Sequence, residues 1–534
     1  MKKSTFLISI LLSSLSLIAC GETNNENSND PPVVNPPIVD PIDGKEEVKV
    51  EKTKLNYTYL DYVNNYYRTS SAIPNQGDPE ILIIPVYFTD SSDYIPEDKK
   101  DIVKNDIEKC FFGTKEDCGF ESVTSYYSTL SCNRCNLKGK VLDWVSVEHS
   151  FMDYAYSEDS TVALVKSVTN DYFESSNDDR TKYDIDKNGF LDGVVLIYAA
   201  PDSDNLDRRY SNLWAYTNWD IYAEANIENP TMCNFFWASY DFMYSKTSAY
   251  DKLGRYYGGG DSSNNKLLLD THVYIHEMGH MFGLVDYYDY SYQYSPAGGF
   301  SMQDYNVGSH DPYSCMALGW CEPYIPTESC TITLNTFQSS REVILLTNTW
   351  NDINSPFDEY ILVEFYSPDG LNQFDHENQY FAFERSKKRP VGPDECGIRV
   401  WHVDARLIEN PYGKEASKIT YDPKVVGKVS HVMSNTYYDS SSNGYGRGYL
   451  SILGSSYANY NILQLIRNEE TETYKTKNAF DKYSLFKDGS TFSMNSFAKQ
   501  FVNKGRLNTN KVLGWNFKVS IENNQAKITL LRTI

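Results

Sequence analysis

Positive charge is what this sequence is short of. Its 534 residues carry 49 Lys and Arg against 72 Asp and Glu, a formal net charge of −23. Phosphate binding needs a basic footprint, so the deficit argues against a nucleic-acid partner, and its plain reading is solubility. Long apolar runs are missing too. The stretch from Phe6 to Ile18 is too short to span a bilayer comfortably, and behind Lys2 and Lys3 it reads as a secretion signal. No segment repeats with a fixed period. Cys132-x-x-Cys135 has no second CxxC to complete a zinc knuckle. Histidine is scarce as well, with eight in the chain, which makes the placing of three of them informative.

The start of the chain is specific in another way. Leu17-Ile18-Ala19-Cys20 resembles the bacterial lipobox. That resemblance makes residues 1–19 a lipoprotein signal peptide and Cys20 the lipidated new N-terminus, the only membrane attachment expected. Residues 20–55, rich in Pro, Asn and Asp, have no apolar periodicity and form a disordered tether. The expected location is the extracellular face of a bacterial membrane, with the protein held at the cell surface or released. Nine cysteines remain after Cys20. An oxidising compartment admits disulfides, and an odd count leaves at least one thiol over. Cys110/Cys118 and Cys321/Cys330 are the locally spaced pairs.

Two regions follow, and together they predict an α+β fold. From 56 to about 325, helical and strand patterns mix. "PEILIIPVYFTD" (79–90) and "DGVVLIYAA" (192–200) are apolar runs expected as buried strands. "EDKKDIVKNDIEKCFFG" is expected as a helix with Ile102, Val103, Ile107 and Phe111 on one side. From 326 to 534 the runs are short, "CTITLNTF", "EYILVEFY" and "GIRVWHVD" among them, and several alternate. This is the pattern of a mostly β, sandwich-like C-terminal domain.

The chemistry concentrates in "THVYIHEMGHMFGLVDYYDY", residues 271–290. On a helix His276 and His280 lie one turn apart and present two imidazoles to one point. Glu277 follows about 100° around the cylinder, near that point without sharing the histidine face. Two nitrogens with a flanking carboxylate is the arrangement of a zinc hydrolase. His272, one turn earlier, either lines the cleft or starts the helix. Gly283 follows His280 by three residues, where a turn can end the helix.

The pattern His276-Glu277-x-x-His280-x-x-Gly283-x-x-Asp286 resembles the metzincin signature with Asp in place of the third His. Several blocks in order resemble one family, the immune inhibitor A family of secreted bacterial zinc metallopeptidases. They are "ILIIPVYFTD", "SVTSYYSTLS", "DIDKNGFLDGVVLIYA", the zinc helix, "SMQDYNVGSHDPYSCMALGW", "YFAFERS" with "GIRVWHVD", and "LFKDGSTFSM". The resemblance covers roughly residues 80 to 530. It implies a metzincin-like peptidase domain, zinc on His276, His280 and Asp286, and a tight turn with Met302 beneath the metal. Asp289 is the competitor for the third place; the signature's spacing favours Asp286. The chain departs from immune inhibitor A in lacking room for a long propeptide after the signal.

Other residues carry weaker expectations. Asp184, Asp186, Asn188, Phe190 and Asp192 in "DIDKNGFLDG" read as an oxygen-rich calcium loop, incomplete because Val195 stands where an EF-hand has its bidentate Glu. The alternative is an Asx-rich turn before a strand. His402 in "VWHVD" is expected in a hydrogen-bonded structural pair, with a second metal site as the alternative. Tyr305, three residues past Met302, is a candidate to stabilise an oxyanion. The resulting expectation is a zinc-dependent endopeptidase with Glu277 as general base, hydrolysing peptide bonds in protein or peptide substrates, with Zn2+ and Ca2+ as cofactors. Two rivals stand beside it. A catalytically silent surface adhesin has no need of the intact Glu277, and a zinc amidase on cell-wall peptides shares the chemistry with a differently shaped cleft.

Overall fold

The computed structural model describes residues 49–66, 71–202, 211–244, 269–289, 294–378, 389–409, 418–424, 430–431, 435, 460–469 and 478–534. All belong to one compact unit, Gly44–Ile534. The signal segment, Cys20, most of the tether and the "YFAFERS" block lie outside the described residues. Among those described, no helix is long and apolar enough to cross a membrane.

The first sheet is built from β1 (Glu80–Tyr87), β2 (Lys138–Val141), β3 (Val145–Ser146), β4 (Gly193–Tyr198), β5 (Tyr216–Trp219) and β6 (Asn234–Ser239), in the order β2-β1-β4-β6-β5 with β3 also on β1. All pairings are parallel except that of the edge strand β5. Parallel strands are covered on both faces, which is why "EILIIPVY" and "GVVLIY" are continuous apolar runs rather than alternating ones. Pro85 is tolerated inside β1 because β2 pairs as far as Ile83 and β3 begins at Val86, so its missing N–H falls at the break.

One face of this sheet, with Ile81, Ile83, Val195, Ile197 and Phe236, packs on α1 (Tyr59–Tyr66), on α2 (Lys100–Phe112), against which α3 (Lys115–Cys118) lies, on α4 (Val123–Leu130) and on the histidine helix. The other, with Leu82, Ile84, Leu196 and Trp237, packs on Leu164, Val165 and Val168 of α5 (Glu158–Ser175). In α2 the apolar face is Val103, Ile107, Cys110 and Phe111; Ile102, expected on it, is 39% exposed. Residue 102 falls one step off the 103-107-110-111 stripe, so its side chain flanks the contact instead of entering it.

Beyond residue 325 the described strands are antiparallel. The first are β7 (Cys330–Leu334), β8 (Val343–Leu346), β9 (Glu359–Tyr366) and β10 (Gly397–Asp404). A small sheet follows, β11 (Leu407–Glu409), β12 (Lys418–Thr420) and β13 (Ser430–His431), then β14 (Leu463–Ile466), β15 (Thr491–Phe492), β16 (Trp515–Glu522) and β17 (Gln525–Arg532). Two sheets of four strands, β14-β10-β9-β8 and β15-β16-β17-β7, share a core of Val363, Phe365, Val400, Phe517 and Ile528 among others. The alternate residues of the first, Tyr360, Leu362, Trp401 and Val403, face the opposite way. They join the same core as Tyr274, Ile275 and Met278 of the histidine helix, so residues on both sides of position 325 bury one another.

Candidate metal centre

The motif forms α6 (His272–Met281), packed against β5, β6 and α4. His276 and His280 present their rings edge to face, with Nε2 atoms 3.1 Å apart. The helix stops at Phe282, and Gly283 takes φ +100°, a conformation side chains rarely adopt. A Cβ on Gly283 would also lie 2.7 Å from Val63 Cγ2. The chain turns back there, and Asp286 Oδ1 stands 3.0 Å from His276 Nε2 and 3.2 Å from His280 Nε2.

Both imidazoles are held in one tautomer. His276 Nδ1–H donates to Met302 O at 2.8 Å, and His280 Nδ1–H donates to Leu284 O at 2.8 Å. Each Nε2 is then left as the lone-pair nitrogen, aimed at the other and at Asp286. Ligands about 2.0–2.1 Å from a tetrahedral zinc stand about 3.3 Å from one another, and the three separations here, 3.1, 3.0 and 3.2 Å, fit that donor set. The metal-free triad binds a proton instead. Burial works against charge on His280, yet the Asp286 carboxylate outweighs it and raises the imidazole to about 9. Burial also opposes ionisation of Asp286, but the histidines hold that carboxyl well below the usual range.

Glu277 is buried beside the triad. Thr217 on β5 donates its hydroxyl to Glu277 O at 2.9 Å, with Glu277 Oε2 at 3.3 Å. Burial raises the Glu277 carboxyl above its ordinary value, against the pull of His280 and His276, and so makes it a stronger base. Met302 opens α7 (Met302–Tyr305), and its side chain is fully buried.

The remaining sites resolve as follows. His272 is fully buried at the start of α6, between Asp270 (2.8 Å) and Asp375 (3.0 Å) and stacked on Phe120. This is an anchoring arrangement, not a cleft-lining one. Asp289 is buried and does not share the ligand cluster, which is His276, His280 and Asp286. The ring against His276 is Tyr288, at 6.3 Å, and Tyr305 stacks in turn on Tyr288 at 6.4 Å beneath Arg389. His402 bonds Glu359 Oε1 at 2.9 Å inside the core, as the expected structural pair.

In the acidic loop, Asp184, Asp186 and Asp192 bring carboxylate oxygens within 4.8 Å of one another. Burial pushes Asp192 up to about 8 and Asp186 to about 6. Asn188 turns inward: its amide N–H2 donates to Asp186 Oδ2 (3.1 Å) and its Oδ1 accepts from Phe190 N–H (2.8 Å). The Phe190 side chain packs with Ala223 and Cys233. None of the nine described cysteines forms a disulfide, the pairs Cys110/Cys118 and Cys321/Cys330 included. Cys118 S–H donates to Lys109 O and Cys321 S–H to Arg341 O, so these sulfurs satisfy themselves on backbone carbonyls. Cys132 and Cys135 join no ligand cluster among the described residues.

Four further residues stand beside the centre: Thr217, which no sequence pattern marks, and Gln303, His310 and Tyr126, which lie inside quoted blocks without being singled out. Buried His310 bonds Tyr126 Oη at 2.8 Å and Gln303 Oε1 at 3.2 Å. Burial, with His276 and His280 nearby, drives its pKa far down and keeps it neutral. Compared with known proteins, the chain matches no protein-family model, and no curated protein matches it.

Proposed function

We propose that this chain is a zinc-dependent endopeptidase of the metzincin-like, immune inhibitor A type. The observation that carries the reading is the triad itself. Two imidazoles of defined tautomer and one carboxylate converge at zinc-ligand spacing, with a buried glutamate alongside. His276, His280 and Asp286 would hold a zinc ion, which would supply Lewis acidity to a water and to a peptide carbonyl. Glu277 would take a proton from a water at the triad as its oxygen bonds the peptide carbonyl carbon, hold it on its carboxyl, and pass it to the amide nitrogen as the C–N bond breaks. Thr217 ties the backbone of Glu277 to the sheet edge and fixes where the carboxylate sits. The fold reading that accompanies this is a peptidase domain with a sandwich-like C-terminal part, and Ca2+ is proposed for the loop of Asp184, Asp186 and Asp192.

The test is hydrolysis of a denatured protein substrate by the full chain, with and without a zinc chelator, for wild type and Glu277→Gln. Activity is expected to vanish with chelation and return with Zn2+. The Gln variant is expected to retain zinc and lose several orders of magnitude in turnover. Equal zinc content with near-normal turnover would remove Glu277 from the mechanism. Chelator-insensitive hydrolysis would remove the metal.

A further inference from the structure

Gly279 lies inside α6 between the two histidines, a position where Ala would favour the helix. The reason for glycine is close approach. A Cβ there would come within 2.2 Å of Gln303 Oε1 and 2.8 Å of its Cδ. The fully buried Gln303 amide fills the space instead.

From that position Gln303 meets the supports of the ligands. Its amide lies 3.4 Å from His280 Nδ1. That nitrogen already donates to Leu284 O, so the amide acts there as a wall against the ring. Gln303 Oε1 accepts from His310 Nε2–H at 3.2 Å, and Tyr126 O–H donates to His310 Nδ1 at 2.8 Å, which fixes the amide to α4. The Gln303 backbone carbonyl accepts from the N–H of Tyr287, next to Asp286, at 2.8 Å. The carbonyl one residue earlier, on Met302, holds His276. Two consecutive residues therefore contact the support of all three ligands.

We propose that Gln303 is a positioning residue of the metal triad, and that position 279 is glycine to admit its amide. The proposal rests on the metal reading above. Outer contacts of this kind are worth ~10–100-fold in metal affinity.

The experiment titrates the metal-free full chain with Co2+ and with Zn2+ against a competing chelator, and records the visible Co2+ bands. Wild type is expected to bind an equivalent that His276→Ala loses. Gln303→Ala is expected to bind ~10–100-fold more weakly with altered Co2+ bands. Gly279→Ala, which expels the amide, is expected to be worse, and Gly279→Ala/Gln303→Ala no worse than Gln303→Ala alone, a non-additive cycle. Wild-type binding with Gln303→Ala affinity and bands unchanged would overturn the role of Gln303 and leave the metal site standing. A wild-type chain with no His276-dependent equivalent would overturn both.

Discussion

Asp286 and Asp289 stand three positions apart in one acidic, tyrosine-rich turn, and Asp286 is the one that meets the histidines. The difference follows from where the chain reverses. Asp286→Ala is expected to remove one of three ligands and weaken zinc steeply, whereas Asp289→Ala leaves occupancy largely intact; zinc content of the two purified variants, measured side by side, decides. Loss of metal in the Asp289 variant alone would show the wrong carboxylate had been chosen. At this scale His276, Glu277 and His280 were legible because one helical turn carries them all. Thr217 was not, since it reaches the centre from a strand 60 positions before Glu277.

At the scale of elements, the reversal after α6 depends on Gly283. Its φ of +100° and the 2.7 Å approach to Val63 act together. Gly489 provides the comparison, with φ +78° and nothing within 4 Å of an added Cβ. Gly489→Ala should cost only the backbone term, about 1–2 kcal/mol. Gly283→Ala should cost more, and should displace Asp286 enough to lose metal. Denaturant unfolding with metal analysis on both variants checks this; equal destabilisation with zinc retained would dismiss the steric argument. The expected strands at 79–90 and 192–200 correspond to β1 and β4, because a buried parallel strand needs an unbroken apolar run. The side of α2 was read one residue too wide at Ile102. Periodicity locates a stripe, and the neighbours decide its edges.

Across the whole molecule, several buried groups titrate on the same side of neutrality. His280 is raised from 6.5 to about 9, so the stability it contributes is complete below 6.5 and is lost as pH rises through 9. Asp192 and Asp304 are raised from 3.8 to about 8, chiefly by burial, so the folded state keeps protons that the unfolded state has released, and stability falls as pH approaches 8. The three signs agree. The metal-free chain is expected to lose stability from pH 6 to 9, and Zn2+ with Ca2+ to flatten that slope by replacing protons with cations at the triad and the acidic loop. Thermal unfolding across that range, with chelator and with the ions restored, tests it. A chelated protein that becomes more stable toward pH 9 would contradict the assignment.

What the sequence determined by itself was local: a helix carrying two imidazoles one turn apart, a glycine where it must end, apolar runs long enough for parallel strands, and alternating runs beyond residue 325. Each depends on spacing of a few residues, and helical or strand geometry converts such spacing directly into direction. The tertiary structure decided what depends on distant parts meeting. It set the tautomers through the carbonyls of Met302 and Leu284, placed Thr217 on Glu277, filled the notch at Gly279 with Gln303, and merged strands from both halves into one core. A hydrogen bond or a packed contact needs two partners. Thr217 and Glu277 lie 60 positions apart and Tyr126 and His310 lie 184 apart, and their meeting is fixed by the packing of whole elements, which no local pattern encodes.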